Sequence, residues 1–144
     1  MASILALDPG VTTGWATYKE DGDVVTGQFK GTHHQFWTLL SKFAPDVIVF
    51  EGFVYQRRHK VVLYPVEVIG IIKLYAEVKK VIELQQQTAS QAKNLWTMDK
   101  LKKLGLWKEA QVHAMDATRH LLYYLVVTRG DRSWLENLRP DRMT

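Results

Sequence analysis

Cysteine is absent from this 144-residue chain, so disulfides and thiolate zinc sites are excluded and an intracellular setting is expected. Long hydrophobic runs are missing as well: charge interrupts each within a few residues, which leaves no transmembrane span. No basic segment with a following apolar stretch and cleavage site precedes the first strand, so no signal peptide is expected. Internal repeats, low-complexity tracts and interdomain linkers are also lacking. What remains is 47% hydrophobic and 24% charged, the balance of a soluble globular protein, in a length suited to one domain with a real core.

The formal charge of +4 favours a polyanionic partner, and its distribution says more than its total. Arg57, Arg58, His59 and Lys60 form a basic quartet. Lys93, Lys100, Lys102, Lys103 and Lys108 crowd a later segment whose only acids are Asp99 and Glu109. Scattered lysines often serve solubility alone; a quartet beside a candidate site asks for more.

Hydrophobic patterning predicts an α/β fold. Residues 3–7 read as a buried strand, with Pro9-Gly10 and Thr13-Gly14 as the turn into a second strand at 15–18. Residues 20–23 make a hairpin turn and 24–29 return as a third strand. Thr32 caps a helix carrying Phe36, Leu39, Leu40 and Phe43, which Pro45 ends. Residues 46–51 form a central strand, nearly all apolar. A polar and aromatic loop from 52 to 60 leads to a long helix over 62–80 and a short edge strand at 81–84. A helical stretch begins at Thr88 or Ser90 and breaks near Gly105; a final helix spans 107–128. Residues 1–128 are read as the domain and 129–144 as a basic tail. The order implies a five-stranded mixed sheet, three antiparallel strands followed by parallel crossovers, flanked by helices.

The chemistry sits in three acids. Asp8 and Glu51 each end an apolar strand and are followed by a turn or glycine, which places both at the ligand-binding edge of an open sheet. An acid there either hydrogen-bonds its own turn or holds a cation. Asp116 shares a helix face with His113 and His120, at spacings of three and four residues, and Ala114 and Ala117 let that helix approach closely. Three oxygen donors without cysteine suit Mg²⁺ or Mn²⁺ rather than zinc, and two such ions can cleave a phosphodiester. His113 either ligates metal, orients water or simply packs; His120 and Thr13 read as supports behind the ligands.

With Asp8-Pro9-Gly10, Thr13-Gly14-Trp15, Val49-Phe50-Glu51 and His113-x-x-Asp116-Ala117 in this order, the chain resembles the RuvC-type Holliday junction resolvases, of the compact bacteriophage-encoded kind. The resemblance spans roughly residues 3–125. It implies a ribonuclease H-like fold, a symmetric homodimer, and divalent-metal nicking of two opposed strands at a four-way DNA junction. It makes Asp8, Glu51 and Asp116 the metal-binding acids with two Mg²⁺ or Mn²⁺ ions, and His113 the fourth member. Phe53 and Tyr55 become candidates for prising base pairs apart. Arg57, Arg58, Lys60, Lys93, Lys100, Lys102, Lys103 and Arg119 become DNA contacts. Val66, Ile69, Gly70 and Leu74 become the dimer face. A phage-encoded enzyme would work in the bacterial cytoplasm, without membrane or nucleotide cofactor. Two other readings remain: a nuclease of the same fold acting on flaps, forks or RNA–DNA hybrids, and a phosphotransferase of the actin and sugar-kinase type, suggested by Asp8-x-Gly10-x-Thr12. The latter needs a second, similar domain that 144 residues cannot supply.

Overall fold

A computed structural model describes residues 3–19, 22–53 and 63–138. Its centre is one five-stranded sheet in the order β3-β2-β1-β4-β5, made of β1 (Ile4–Asp8), β2 (Thr12–Tyr18), β3 (Val24–Lys30), β4 (Val47–Glu51) and β5 (Glu83–Gln87). The first three strands pair antiparallel, while β4 runs parallel to both β1 and β5. The mixed α/β sheet expected from the sequence is therefore present.

Period-two alternation sorts the strands between two cores. Leu5, Leu7, Ile48 and Phe50 face α1 (His33–Phe43) and α2 (Tyr64–Val78), packing with Phe36, Leu40, Ile72 and Tyr75. Ile4, Ala6, Val47 and Val49 face the opposite way, toward α5 (Val112–Tyr123), packing with Ala114, Ala117 and Leu121. Continuing that alternation by one step puts Asp8 and Glu51 on the α5 face. The parallel ladder runs up to the Leu7–Phe50 pair, so the two acids follow side by side at its end.

Local signals explain the helix starts. Thr32 closes a capping box with Gln35: its side chain accepts from the Gln35 amide, and the Gln35 side chain accepts from the Thr32 amide. Thr88 and Gln91 repeat that device at α3 (Ala89–Leu95). Thr97 caps α4 (Met98–Lys103), so the single stretch expected from residue 88 to 105 is two helices broken at buried Trp96.

Other boundaries also move. Thr13 and Gly14 lie inside β2, and the turn after β1 is only Pro9 to Val11. The last helix starts at Val112 because Ala110 takes a left-handed conformation (φ 60°), and it ends in a π-helical turn, Tyr124–Thr128. The edge strand is Glu83–Gln87 rather than 81–84. Its polar residues are matched from the α5 side: Glu83 receives a short hydrogen bond from Tyr124, and Gln85 one from Thr128 at 3.2 Å. Tertiary partners thus override poor strand propensity. Beyond residue 128, Ser133–Glu136 forms a one-turn helix, α6, and Trp134 meets Tyr18 edge-to-face at 6.1 Å.

Candidate active site

Helix α5 reaches the strand ends because Gly14 has no side chain. A Cβ on Gly14 would stand 1.8 Å from the His113 carbonyl oxygen and 2.7 Å from the Ala114 nitrogen. Gly14 also pairs with Asp8 across the β1–β2 ladder, so one glycine sets the approach of helix to acid. Gln28 on β3 completes the docking. Its side-chain oxygen accepts from the backbone amides of His113 at 3.0 Å and Ala114 at 3.3 Å, filling donor groups the first helical turn leaves open. Thr13, itself buried, pins the loop behind Asp8 by donating to the Gly10 carbonyl at 3.0 Å.

From that docked helix, each acid receives a basic partner. His113 Nδ1 lies 3.0 Å from Asp8 Oδ2. His120 Nε2 lies 3.0 Å from Glu51 Oε1. Arg119 donates through Nη1 to Asp116 Oδ1 at 2.8 Å and through Nε to the Trp96 carbonyl at 2.7 Å. The sequence-predicted acids and both histidines are therefore gathered at one sheet edge.

The electrostatics are those of crowded carboxylates. Burial, then the Glu51 charge, push the Asp8 carboxyl up to about 7 against the opposing His113 hydrogen bond, and Asp116 adds to the rise. Burial also acts to raise Glu51, but its hydrogen bond and charge interaction with His120, its hydrogen bond with Asp8 and the nearby Lys93 together hold it below the usual value. Within this acidic pair, burial and crowding favour the proton at Asp8 over Glu51. Among the described residues, no three acidic or histidine side chains stand ready-made around a metal position, because each acid is turned toward its own basic partner. The donor set nevertheless suits a hard cation: carboxylate oxygens on adjoining elements, with repulsion a divalent charge would relieve.

A cavity of about 400 Å³ opens beside Glu51, lined among others by Pro9, Phe53, Pro65, Ile69 and Thr88. Phe53 is exposed at its rim. Tyr55, Arg57, Arg58 and Lys60 lie outside the described residues. Of the expected DNA contacts, Lys93, Lys102 and Lys103 are exposed. Lys100 instead donates to the Leu95 carbonyl at 2.8 Å, at the end of α3. Arg119 is turned inward onto Asp116, and its guanidinium lies 5.9 Å from the Trp107 ring centre. Gln28 and Gln87 were missed by sequence reasoning; neither has a periodic signal, and both find their partners far along the chain.

No protein-family model matches the sequence, and no curated protein does. Solved structures do match. T. thermophilus RuvC in complex with a Holliday junction substrate superposes with a TM-score of 0.70 at 15% identity, covering 91% of this chain and 97% of that one. A second Thermus thermophilus RuvC structure gives 0.65 at 16% identity, with 89% and 96% covered. The yeast mitochondrial Holliday junction resolvase Ydc2 gives 0.55 at 14% identity, with 97% and 81% covered. At such identities the likeness speaks for the fold, and it extends over nearly the full length of each chain. The protein has the fold shared by RuvC and the mitochondrial Holliday junction resolvase.

Proposed function

We propose that this chain is a divalent-metal-dependent endonuclease that resolves four-way DNA junctions by paired, symmetric nicks. The observation that carries the reading is the gathering of Asp8, Glu51, Asp116 and His113 at the C-terminal edge of β1 and β4, in a fold shared with RuvC and a mitochondrial Holliday junction resolvase. Asp8, Glu51 and Asp116 would hold two Mg²⁺ or Mn²⁺ ions. When bound, such ions polarise the scissile phosphate, make an attacking water more acidic and stabilise the leaving oxygen.

The residues of the chain supply position and field. His113, with its side chain 47% exposed, can hold a water while its other contact fixes Asp8. Arg119 keeps Asp116 aimed into the site. Lys93, Lys102 and Lys103, with Arg57, Arg58 and Lys60 from the loop that follows β4, supply phosphate contacts that give affinity and salt dependence rather than base choice. Phe53 and Tyr55 remain the candidates for opening base pairs. The nuclease domain would span residues 1–128, and the stretch that follows packs back onto it through Trp134, Leu135 and Leu138.

Symmetric nicking requires two copies. On α2, Val66, Leu74 and Val78 are exposed at four-residue multiples around Gly70, above which space is open. Such a ridge suits close packing against the same helix of a second chain. Ile69, expected on that face, is buried in the protein's own core instead.

The test is incubation with Mg²⁺ and a labelled immobile junction, alongside a flap, a fork, an RNA–DNA hybrid and plain duplex. Paired nicks confined to the junction are expected; equal or better cutting of the other substrates would overturn junction selectivity. Asp8→Asn and Asp116→Asn should each abolish nicking while retaining junction binding, because only metal coordination is lost. Retained Mg²⁺-dependent nicking by either variant removes that acid from the mechanism.

A further inference from the structure

One polar group in the buried part of the site takes no part in the chemistry proposed for the acids. Gln87 is the last residue of β5, 4% exposed, and sits in register beside Glu51 on β4. Its carbonyl accepts from the Gly52 amide at 2.8 Å, so its backbone is tied to the residue that follows the acid. Its side-chain oxygen lies 2.8 Å from His120 Nδ1, and the other ring nitrogen of His120 lies 3.0 Å from Glu51 Oε1. His120 is 1% exposed. The imidazole is therefore gripped at both nitrogens, between an amide on one strand and the carboxylate on the next.

Stability alone does not explain Gln87. Its side-chain nitrogen is buried without a hydrogen-bond partner, an arrangement that disfavours the fold and that an apolar residue of similar size would avoid. Nor does strand propensity favour it. What the amide does accomplish is to fix the plane of His120. A fixed ring commits Oε1 of Glu51 to His120 and so sets the plane of the carboxylate. The opposite side of the site is arranged differently: His113 meets Asp8 from a side chain nearly half exposed, and Gln28 contacts its backbone rather than its ring.

We propose that Gln87 is a positioning residue of the metal site, acting through His120 to hold Glu51 in its cation-binding orientation. The inference rests on the metal-nuclease reading, and the experiment separates the two. Mn²⁺ binding is measured by electron paramagnetic resonance on the protein without DNA, for the wild type and for Gln87→Leu, which removes both polar atoms at similar volume. Loss of a partner behind a metal ligand characteristically weakens the metal by about 10–100-fold. Mn²⁺ affinity should thus fall by about 10-fold or more, and it is compared on folded protein, because the substitution removes the orphaned Gln87 nitrogen but also leaves His120 Nδ1 without its partner. The ring ¹⁵N signals of His120 should shift, and kcat on the junction should fall with KM little changed.

Mn²⁺ affinity within twofold of wild type in folded Gln87→Leu overturns the positioning role, as does an unaltered His120 ring spectrum. A wild-type protein that binds no Mn²⁺ overturns the cation reading itself and the positioning role with it. If Gln87→Leu does not fold, Gln87→Met is judged by the same criteria. A merely structural glutamine would leave the Mn²⁺ affinity of the folded fraction intact, whatever the melting temperature.

Discussion

Helices α5 and α2 cover opposite faces of one sheet and distribute their side chains in opposite ways. Helix α5 buries polar groups: Asp116, Thr118 and His120 are all within the interior, and its apolar residues Ala117, Leu121 and Leu122 face inward with them. Helix α2 leaves apolar groups outside, with Val66, Leu74 and Val78 each more than two-fifths exposed. Buried polar atoms persist only where hydrogen bonds or chemistry repay their desolvation. Exposed apolar ridges persist where another surface covers them. The first helix thus carries the polar groups of the candidate site and the second an uncovered apolar ridge, although their amphipathic patterns look alike in sequence.

The largest effect is expected at the contact that admits α5. Gly14→Val would drive a side chain into the His113 backbone, and the helix must retreat from Asp8. Overpacking of this kind costs about 3 kcal/mol, and a displacement near 1 Å at reacting groups lowers rates by about 100-fold. Thermal melts and junction-nicking rates together check this. A variant melting like wild type at full activity would show that α5 is not held by this contact.

Next comes the buried acid itself. Without metal, the folded chain keeps the Asp8 proton up to about 7, whereas the unfolded chain releases it near the ordinary 3.8. Between those values the folded state binds more protons, so stability falls as pH rises, and the penalty is complete above about 7. Asp8→Asn should remove that dependence and be more stable than wild type in EDTA at pH 8 by about 1–3 kcal/mol. The gain should vanish below pH 4. Denaturant melts across this range measure it, and equal slopes for both proteins would contradict the crowding of Asp8.

On the α2 side the consequences fall on assembly. Leu74→Glu should halve the mass seen by light scattering, from twice 16.6 kDa to 16.6 kDa, while changing subunit stability by less than about 0.5 kcal/mol. A wild type that is already monomeric at micromolar concentration would remove the partner role of this ridge. The smallest effect belongs to the exposed lysines. Lys102→Ala with Lys103→Ala should weaken junction binding several-fold and flatten its log–log salt slope by about two, one for each phosphate no longer neutralised. An unchanged slope would place DNA elsewhere.

Much of this was legible in the sequence, and for identifiable reasons. An apolar run ending in an acid announced both Asp8 and Glu51, since alternation and burial are local properties. Helical spacing brought His113, Asp116 and His120 to one face. The mixed five-stranded sheet, antiparallel first and parallel after, followed from connection rules. What escaped were features decided by distant partners. The edge strand sits at 83–87 because Tyr124, Thr128 and His120 satisfy its polar side chains. Gln28 caps a helix 85 residues away. Arg119 points inward because the Trp96 carbonyl and Asp116 offer acceptors that no local pattern reveals. Gly14 was read as a turn residue, whereas its importance lies in what rests on it.

The reach of α5 has a bearing on how the protein is made. Asp8 leaves the ribosome 105 residues ahead of its partner His113, so the site cannot close until α5 has been synthesised. A nascent chain interrupted between Gly52 and Met115 would carry Asp8 and Glu51 without Asp116. The candidate site thereby stays incomplete while the stretch between β4 and α5 is translated, through nothing more than the position of one helix in the chain.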